Sequence, residues 1–320
     1  MKAIRVHEFG APEVMLLTDV AEPQPGPGQV LVRVYAIGVN PVETYIRAGI
    51  YPQGPVLPYT PGTDAAGIVE AVGPGVSRVE LGDRVYTSFS LSGTYAEKTL
   101  CQESQVHPLP EGVSFEQGAG INVPYSAAYR ALFQRAKAAA GEVVLVHGAS
   151  GGVGVAAVQL AAAFGLTVIG TAGTEEGRTL TTVQGAQHVL NHHDPDHYQQ
   201  VLDLTEQRGV DIILELLANQ NLGDDLKILA NGGRVVVIGS RGVVNVDPRD
   251  TIAKETSILG MYIWNASDKE TLSIHAALGA GLANGTLRPI IGKKMSLSEA
   301  PRAQHEIMEA KAYGKIVLIP

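Results

Sequence analysis

The sequence predicts a mixed α/β molecule, with a doubly wound parallel sheet domain inserted in a β-rich domain. Three observations carry this. Residues 1–110 hold short strand-like runs separated by Gly and Pro clusters. From about residue 113 the rhythm changes to apolar runs alternating with helical stretches. A glycine-rich turn, Gly148-Ala-Ser-Gly-Gly-Val-Gly154, joins the first of those runs to the first of those helices. A chain of 320 residues fits two domains. The boundaries fall at 1–122 and 265–320 for the β-rich domain and at 123–264 for the inserted one.

Taken in order, Met1 to Val6 alternates as a strand does. Val30–Ile37 and Gly67–Val72 are strand-like, and Leu81-Gly82-Asp83 is a turn entering another strand. Ser114 to Gln117 opens a capped helix. Tyr125 to Ala140 is Ala-rich and helical. Val143–His147 is apolar without alternation, as a strand buried on both faces should be. Helix Val153–Phe164, strand Thr167–Thr171 and helix Glu175–Gln184 follow. Three more apolar runs, His188–Leu190, Asp211–Leu216 and Arg234–Gly239, are separated by helical stretches. Helices Lys269–Asn284 and Ser298–Lys311 precede a last strand, Lys315–Ile319.

Composition narrows the function. The chain is 45% hydrophobic and 18% charged, an ordinary globular balance. A net charge of −8 repels phosphate backbones and anionic lipid, so neither nucleic acid nor membrane is an expected partner. One cysteine, Cys101, forms no intrachain disulfide and no cysteine-rich zinc site, and packing is its expected role. The longest apolar stretch, Val153–Leu166, is too short to span a bilayer. The first residues lack the apolar core of a signal peptide, so a cytoplasmic location is expected.

The chemistry concentrates at the glycine turn. Gly151 lets the backbone approach a pyrophosphate, and Gly154 lets the helix pack close to the strand. The first amides of the helix point at the anion, with the Ser150 hydroxyl as a candidate addition. The spacing departs from G-x-G-x-x-G, because Ala149 stands at its first glycine. The end of the next strand reads Gly170-Thr-Ala-Gly173-Thr174, without the acidic residue that holds an NAD ribose. That points to NADP. Arg178 is a candidate partner for a 2′-phosphate, against a solvated surface position, and His192 is another candidate. There is no H-E-x-x-H and no tyrosine followed four residues later by lysine. Redox chemistry carried by a nicotinamide fits that absence.

Four segments together resemble the quinone oxidoreductase/zeta-crystallin group, the zinc-free branch of the medium-chain dehydrogenase/reductase superfamily. They are Gly38–Arg47, Leu57–Gly67, Val144–Gly154 and Gly170–Gly177, and the resemblance runs over nearly the whole chain. It implies a Rossmann domain inserted in a GroES-like catalytic domain, and NADPH-dependent reduction of quinones, by hydride or single electrons, in a cleft between the two. It also implies a cytosolic homodimer or homotetramer. Zinc-containing relatives carry Gly-His-Glu where this chain has Gly62-Thr-Asp64, and their cysteine ligands are missing here, so no metal is expected.

Residue by residue, the resemblance places Tyr45 and Asn40 beside the nicotinamide as catalytic residues, with Tyr45 or solvent delivering the proton. Ser150, Gly151, Gly152 and Val153 hold the pyrophosphate. Gly173 and His192 line the adenosine end, and Asn221 lies under the cofactor, although alone it reads as a helix N-cap. Ile238, Gly239, Ser240 and Arg241 contact the nicotinamide half, which Met261, Tyr262 and Ile263 close from the last strand. Lys315 falls near a basic residue for the 2′-phosphate. Two other readings stand beside this one: a reductase of α,β-unsaturated carbonyls (enals or enones), and an NADPH-binding structural or RNA-binding protein.

Overall fold

The computed structural model describes residues 1–52, 54–309 and 311–320. It divides into two compact units. The first holds Met1–Val123, Leu278–Ala310 and Gly314–Pro320; the second holds Pro124–Ala277 and Lys311–Tyr313.

The second unit is built on six parallel strands: Val143–Val146, Thr167–Thr171, His188–Leu190, Val210–Glu215, Leu229–Val237 and Ser257–Gly260. Numbered along the chain, they lie side by side in the order 3-2-1-4-5-6, that of a Rossmann sheet. Helices cover the sheet, so its central strands are apolar on both faces. Leu145, Ile169, Ile213 and Val235 pack with Leu226 and Val201 in one buried cluster. Burying each such side chain contributes roughly 1.5–3 kcal/mol. The order reverses between the first and fourth strands, and ligands of such sheets bind at the carboxyl ends beside that switch.

The first unit is β-rich. Its main sheet has seven strands, with Gln29–Gly38 pairing antiparallel with both Asp64–Val72 and Lys98–Gln102. The chain re-enters this sheet at its end. Lys315–Ile319 pairs antiparallel with Gln29–Gly38, at Val317 with Gly38 and Leu318 with Ile37. The second unit is therefore an insertion within the first. Ile4, Ile37, Tyr95, Leu297 and Leu318 share one buried core, drawn from both ends of the chain.

Most strands start and stop within two residues of the sequence boundaries, but several elements differ. The Ala-rich helix ends at Arg135 rather than Ala140; it runs Asn122–Tyr129 and closes in a π turn, Arg130–Arg135. Lys137 has φ 52°, which an α-helix cannot continue through. The helix expected over Ser298–Lys311 spans Ala300–Glu309; Lys311 is not helical, and Ala310 lies outside the described residues. The short helix Pro41–Arg47 and the strand Ile291–Ser296 are additional. The second division between the units falls at 277/278, not at 264/265. The start of helix Asp268–Ala283 is tied to the inserted unit by the Arg130–Glu270 ion pair, 2.9 Å, and by Gln134 donating to the Glu270 carbonyl at 3.0 Å.

Candidate active site

The glycine turn follows from its residues. Strand Val143–Val146 ends at His147, and Gly148 then takes φ 58°, a left-handed conformation that glycine adopts without strain. Helix Gly152–Ala163 begins at once, with Gly151 as N-cap and no side chain capping its amides. A Cβ on Gly154 would stand 2.3 Å from the Gly148 carbonyl oxygen, so the helix reaches this approach only with glycine there. Uncapped amides at the positive end of a 12-residue helix make an anion site. The Ser150 hydroxyl donates to the Ala312 carbonyl at 2.9 Å. Its proton is committed there, so the turn offers an anion its backbone amides rather than that hydroxyl.

The neighbouring strand ends beside this turn. A Cβ on Gly173 would meet His193 Nε2 at 2.6 Å and His192 Nε2 at 2.7 Å, so both imidazoles pack directly against Gly173. Thr174 Oγ1 caps the next helix, Glu175–Val183, by accepting from the Gly177 amide at 3.0 Å. Arg178 lies in that helix, half-buried, and makes no ion pair among the described residues. Gly173, Arg178 and His192 thus gather at one strand end, where 170–174 offers no carboxylate.

A cavity of about 520 Å³ opens at the end of the fifth strand, and Ile238, Gly239, Ser240, Met261 and Tyr262 line it. These are five of the residues expected at the nicotinamide half. Arg241 is exposed, its amide held by Asn219 Oδ1 at 2.8 Å, and Ile263 opens a 3₁₀ turn outside the lining. Met261 to Ile263 follow the last strand rather than forming it. Arg130, Arg135 and Asn265 also line the cavity and escaped the sequence reading. In a π turn the bonds run i→i+5, which carries Arg130 and Arg135 to the same wall.

Two clusters of buried polar groups complete the picture. In the first unit, Asn40 caps helix Pro41–Arg47 through a capping box with Glu43. Its Nδ2 donates to Asp64 Oδ2 at 3.0 Å. Asp64 also accepts from Asn122 Nδ2 at 2.9 Å and the Val123 amide at 3.2 Å. The Lys315 ammonium donates to Asn40 Oδ1 and stands 3.7 Å from Asp64 Oδ2. Burial lowers the Lys315 pKa against the pull of Asp64 and Glu43. Lys315 therefore serves a buried ion pair, a correction to its expected place at the 2′-phosphate. Asn40 is likewise committed to this cluster. Glu43 accepts from the Tyr95 hydroxyl at 2.6 Å, yet burial raises its carboxyl to about 7. Tyr45 is half-buried on the same helix.

In the second unit, Glu215 ends the fourth strand and is fully buried. It accepts from Asn221 Nδ2 at 3.1 and 3.2 Å and from the Leu217 amide. Asn221 is thus inside helix Ala218–Ile228, behind its N-cap Leu217, with its amide on Glu215. That corrects the N-cap reading, since Leu217 is the N-cap. His147 Nε2 lies 2.8 Å from Asp225 Oδ1 and 3.6 Å from Glu215 Oε2. Nothing local marks His147, Glu215 or Asp225 in the sequence, since each comes from a different element. Cys101 is packed, its thiol pushed up to about 12 by burial.

Comparison with known proteins places these features. Residues 26–111 match the alcohol dehydrogenase GroES-like domain, and residues 152–277 match the family described as zinc-binding dehydrogenase. The quinone oxidoreductase of Homo sapiens is 50% identical over 321 residues, covering 100% of this chain and 98% of that one. The Escherichia coli quinone oxidoreductase, solved in complex with NADPH, superposes with a TM-score of 0.90 at 29% identity over 100% of both chains. A structure described as an NAD-dependent alcohol dehydrogenase superposes with a TM-score of 0.93, also at 29% identity over 100% of both.

Proposed function

This chain belongs to the quinone oxidoreductase family of medium-chain dehydrogenases/reductases, and we propose on that premise that it reduces quinones with NADPH and without a metal. The observation that carries the reading is the Gly148–Gly154 turn, whose uncapped amides and 2.3 Å approach at Gly154 form a cradle that a Cβ would fill. When bound, NADPH supplies the reducing equivalents; everything else is the work of this chain.

The amides of Ser150, Gly152 and Val153 hold the pyrophosphate, while that of Gly151 closes the turn on the Gly148 carbonyl at 3.1 Å. Gly173, Arg178 and His192 receive the adenosine end, with the Arg178 guanidinium on the 2′-phosphate. The Ile238–Ser240 and Met261–Tyr262 walls hold the nicotinamide half and keep water from it. Tyr45 delivers a proton to the reduced acceptor, and Asn40, pinned by Asp64 and Lys315, keeps the helix of Tyr45 in place. Zinc relatives' ligands are absent by residue type, so the acceptor must be electrophilic without Lewis-acid help. Quinones and activated carbonyls meet that condition.

No helix among the described residues is long and apolar enough to cross a membrane. A homodimer or homotetramer in the cytoplasm completes the reading, and sedimentation of the purified chain checks the assembly. The acceptor is tested by following the oxidation of NADPH against 9,10-phenanthrenequinone and against an enone in parallel. Turnover of the quinone supports the reading; turnover of the enone alone moves the chain to the alkenal reductases.

A further inference from the structure

We propose that Glu215 is a positioning residue, and that one proton shared with Asp225 beside His147 holds the strand-end turns in the shape that receives NADPH. The inference rests on the cofactor reading above and goes beyond it.

His147, Glu215 and Asp225 bring a nitrogen and two carboxylate oxygens within 4.8 Å of one another, all buried. Two carboxylates and one imidazolium would leave a net negative charge in a low-dielectric site, which is expensive. One added proton makes the sum zero. The place for it is visible: Asp225 Oδ2 is buried and accepts no hydrogen bond. Two carboxyls that share a site cannot both ionise easily, so the second proton leaves at a raised pH. Burial raises Glu215 to about 7. Burial opposes the charge on His147, but Asp225 and Glu215 outweigh it and raise its pKa. The other groups facing the cluster are Tyr198, 3.5 Å from Asp225 Oδ1, and, farther off, Asp224 and His192. None of them is a cation that could replace the proton.

The cluster reaches three turns through its backbone. His147 immediately precedes Gly148 of the phosphate turn, and its amide donates to the Leu214 carbonyl at 3.2 Å. The Glu215 carboxylate holds Leu217 and Asn221. The Glu215 carbonyl accepts from Ile238 at 2.8 Å and Gly239 at 3.3 Å, two residues of the cavity wall. Loss of the shared proton puts an uncompensated charge at the point where these turns meet.

The test compares wild type with Glu215→Gln and Asp225→Asn across pH 6 to 9, by NADPH titration, by turnover, and by the infrared band of a protonated carboxyl in the cofactor-free protein. The expected result is an infrared band in wild type that fades as pH rises through about 7, with NADPH affinity falling about tenfold over the same interval. Glu215→Gln, which carries the neutral form at every pH, keeps the tight affinity and flattens the profile. The effect falls on KM for NADPH and leaves kcat unchanged. An unchanged pH profile in Glu215→Gln overturns the inference, as does absence of the band from wild type, which needs no variant to fold. One divalent ion per chain, lost in both variants, also overturns it, because a metal then holds the carboxylates. If wild type binds no NADPH at any pH while the band is present, the cofactor reading falls and takes this inference with it.

Discussion

The Gly148–Gly154 turn and the Asp64 cluster handle charge by opposite means. The turn leaves helix amides without a side-chain cap, and its side chains are small or already occupied. The cluster closes on itself: Asp64 is met by Asn40, Asn122 and Lys315, and all four are buried. The first leaves its helix end without a side-chain partner; the second supplies all of its own partners. A cationic residue near a strand end is therefore no guide to phosphate binding until its own partners are known, which is how Lys315 changed role.

Four predictions test that contrast, from the largest effect to the smallest. Lys315→Met should destabilise the fold by about 3–5 kcal/mol in urea unfolding, because it strands the Asp64 charge in the interior. It should leave the ratio of NADPH to NADH affinity unchanged; a collapse of that ratio would return Lys315 to the phosphate site.

The next concerns pH. Glu43 rises from 4.5 to about 7 on folding, so the folded state holds its proton more tightly than the unfolded chain. Its contribution to stability is complete below pH 4.5 and is lost as pH rises through about 7. The loss amounts to about 3 kcal/mol at most, at about 1.4 kcal/mol per unit. Glu43→Gln should remove that share of the fall between pH 5 and 8, and an unaltered slope would contradict the assignment.

Gly154→Ala should weaken NADPH binding on the order of 10²-fold, as misplacing the turn by about an ångström does. Gly279→Ala, in helix Asp268–Ala283, is the control, since its Cβ would meet nothing within 4 Å. Equal effects from the two would show that close packing at Gly154 is not what shapes the turn. Arg178→Ala should cost NADPH about tenfold or a little more, the worth of a charge-assisted hydrogen bond, and cost NADH nothing. Equal losses for both cofactors would place Arg178 away from the 2′-phosphate.

The same contrast explains what could be read from the sequence. The turn is made of consecutive residues whose backbone does the work, so strand, glycines and helix appear in one window. The parallel strands were legible for a similar reason, as unbroken apolar runs such as Val143–Val146 and Thr167–Thr171. The Asp64 cluster draws on residues 40, 43, 95, 122 and 315, and no local pattern links them. The Glu215 cluster is just as scattered, with His147 after one strand, Glu215 ending another and Asp225 on a helix. Ile291–Ser296 was missed because its alternation is half polar, as suits a strand at the edge of its sheet. The Arg130–Arg135 turn was missed because its sequence is a good α-helix former, and only the backbone shows the π geometry.

The most direct test of the account is a calorimetric titration of NADPH, NADH and 2′,5′-ADP into the wild-type chain. One NADPH per chain is expected, bound at least about tenfold tighter than NADH, with measurable binding of 2′,5′-ADP alone. Equal affinity for NADPH and NADH, or no binding of either, would contradict it.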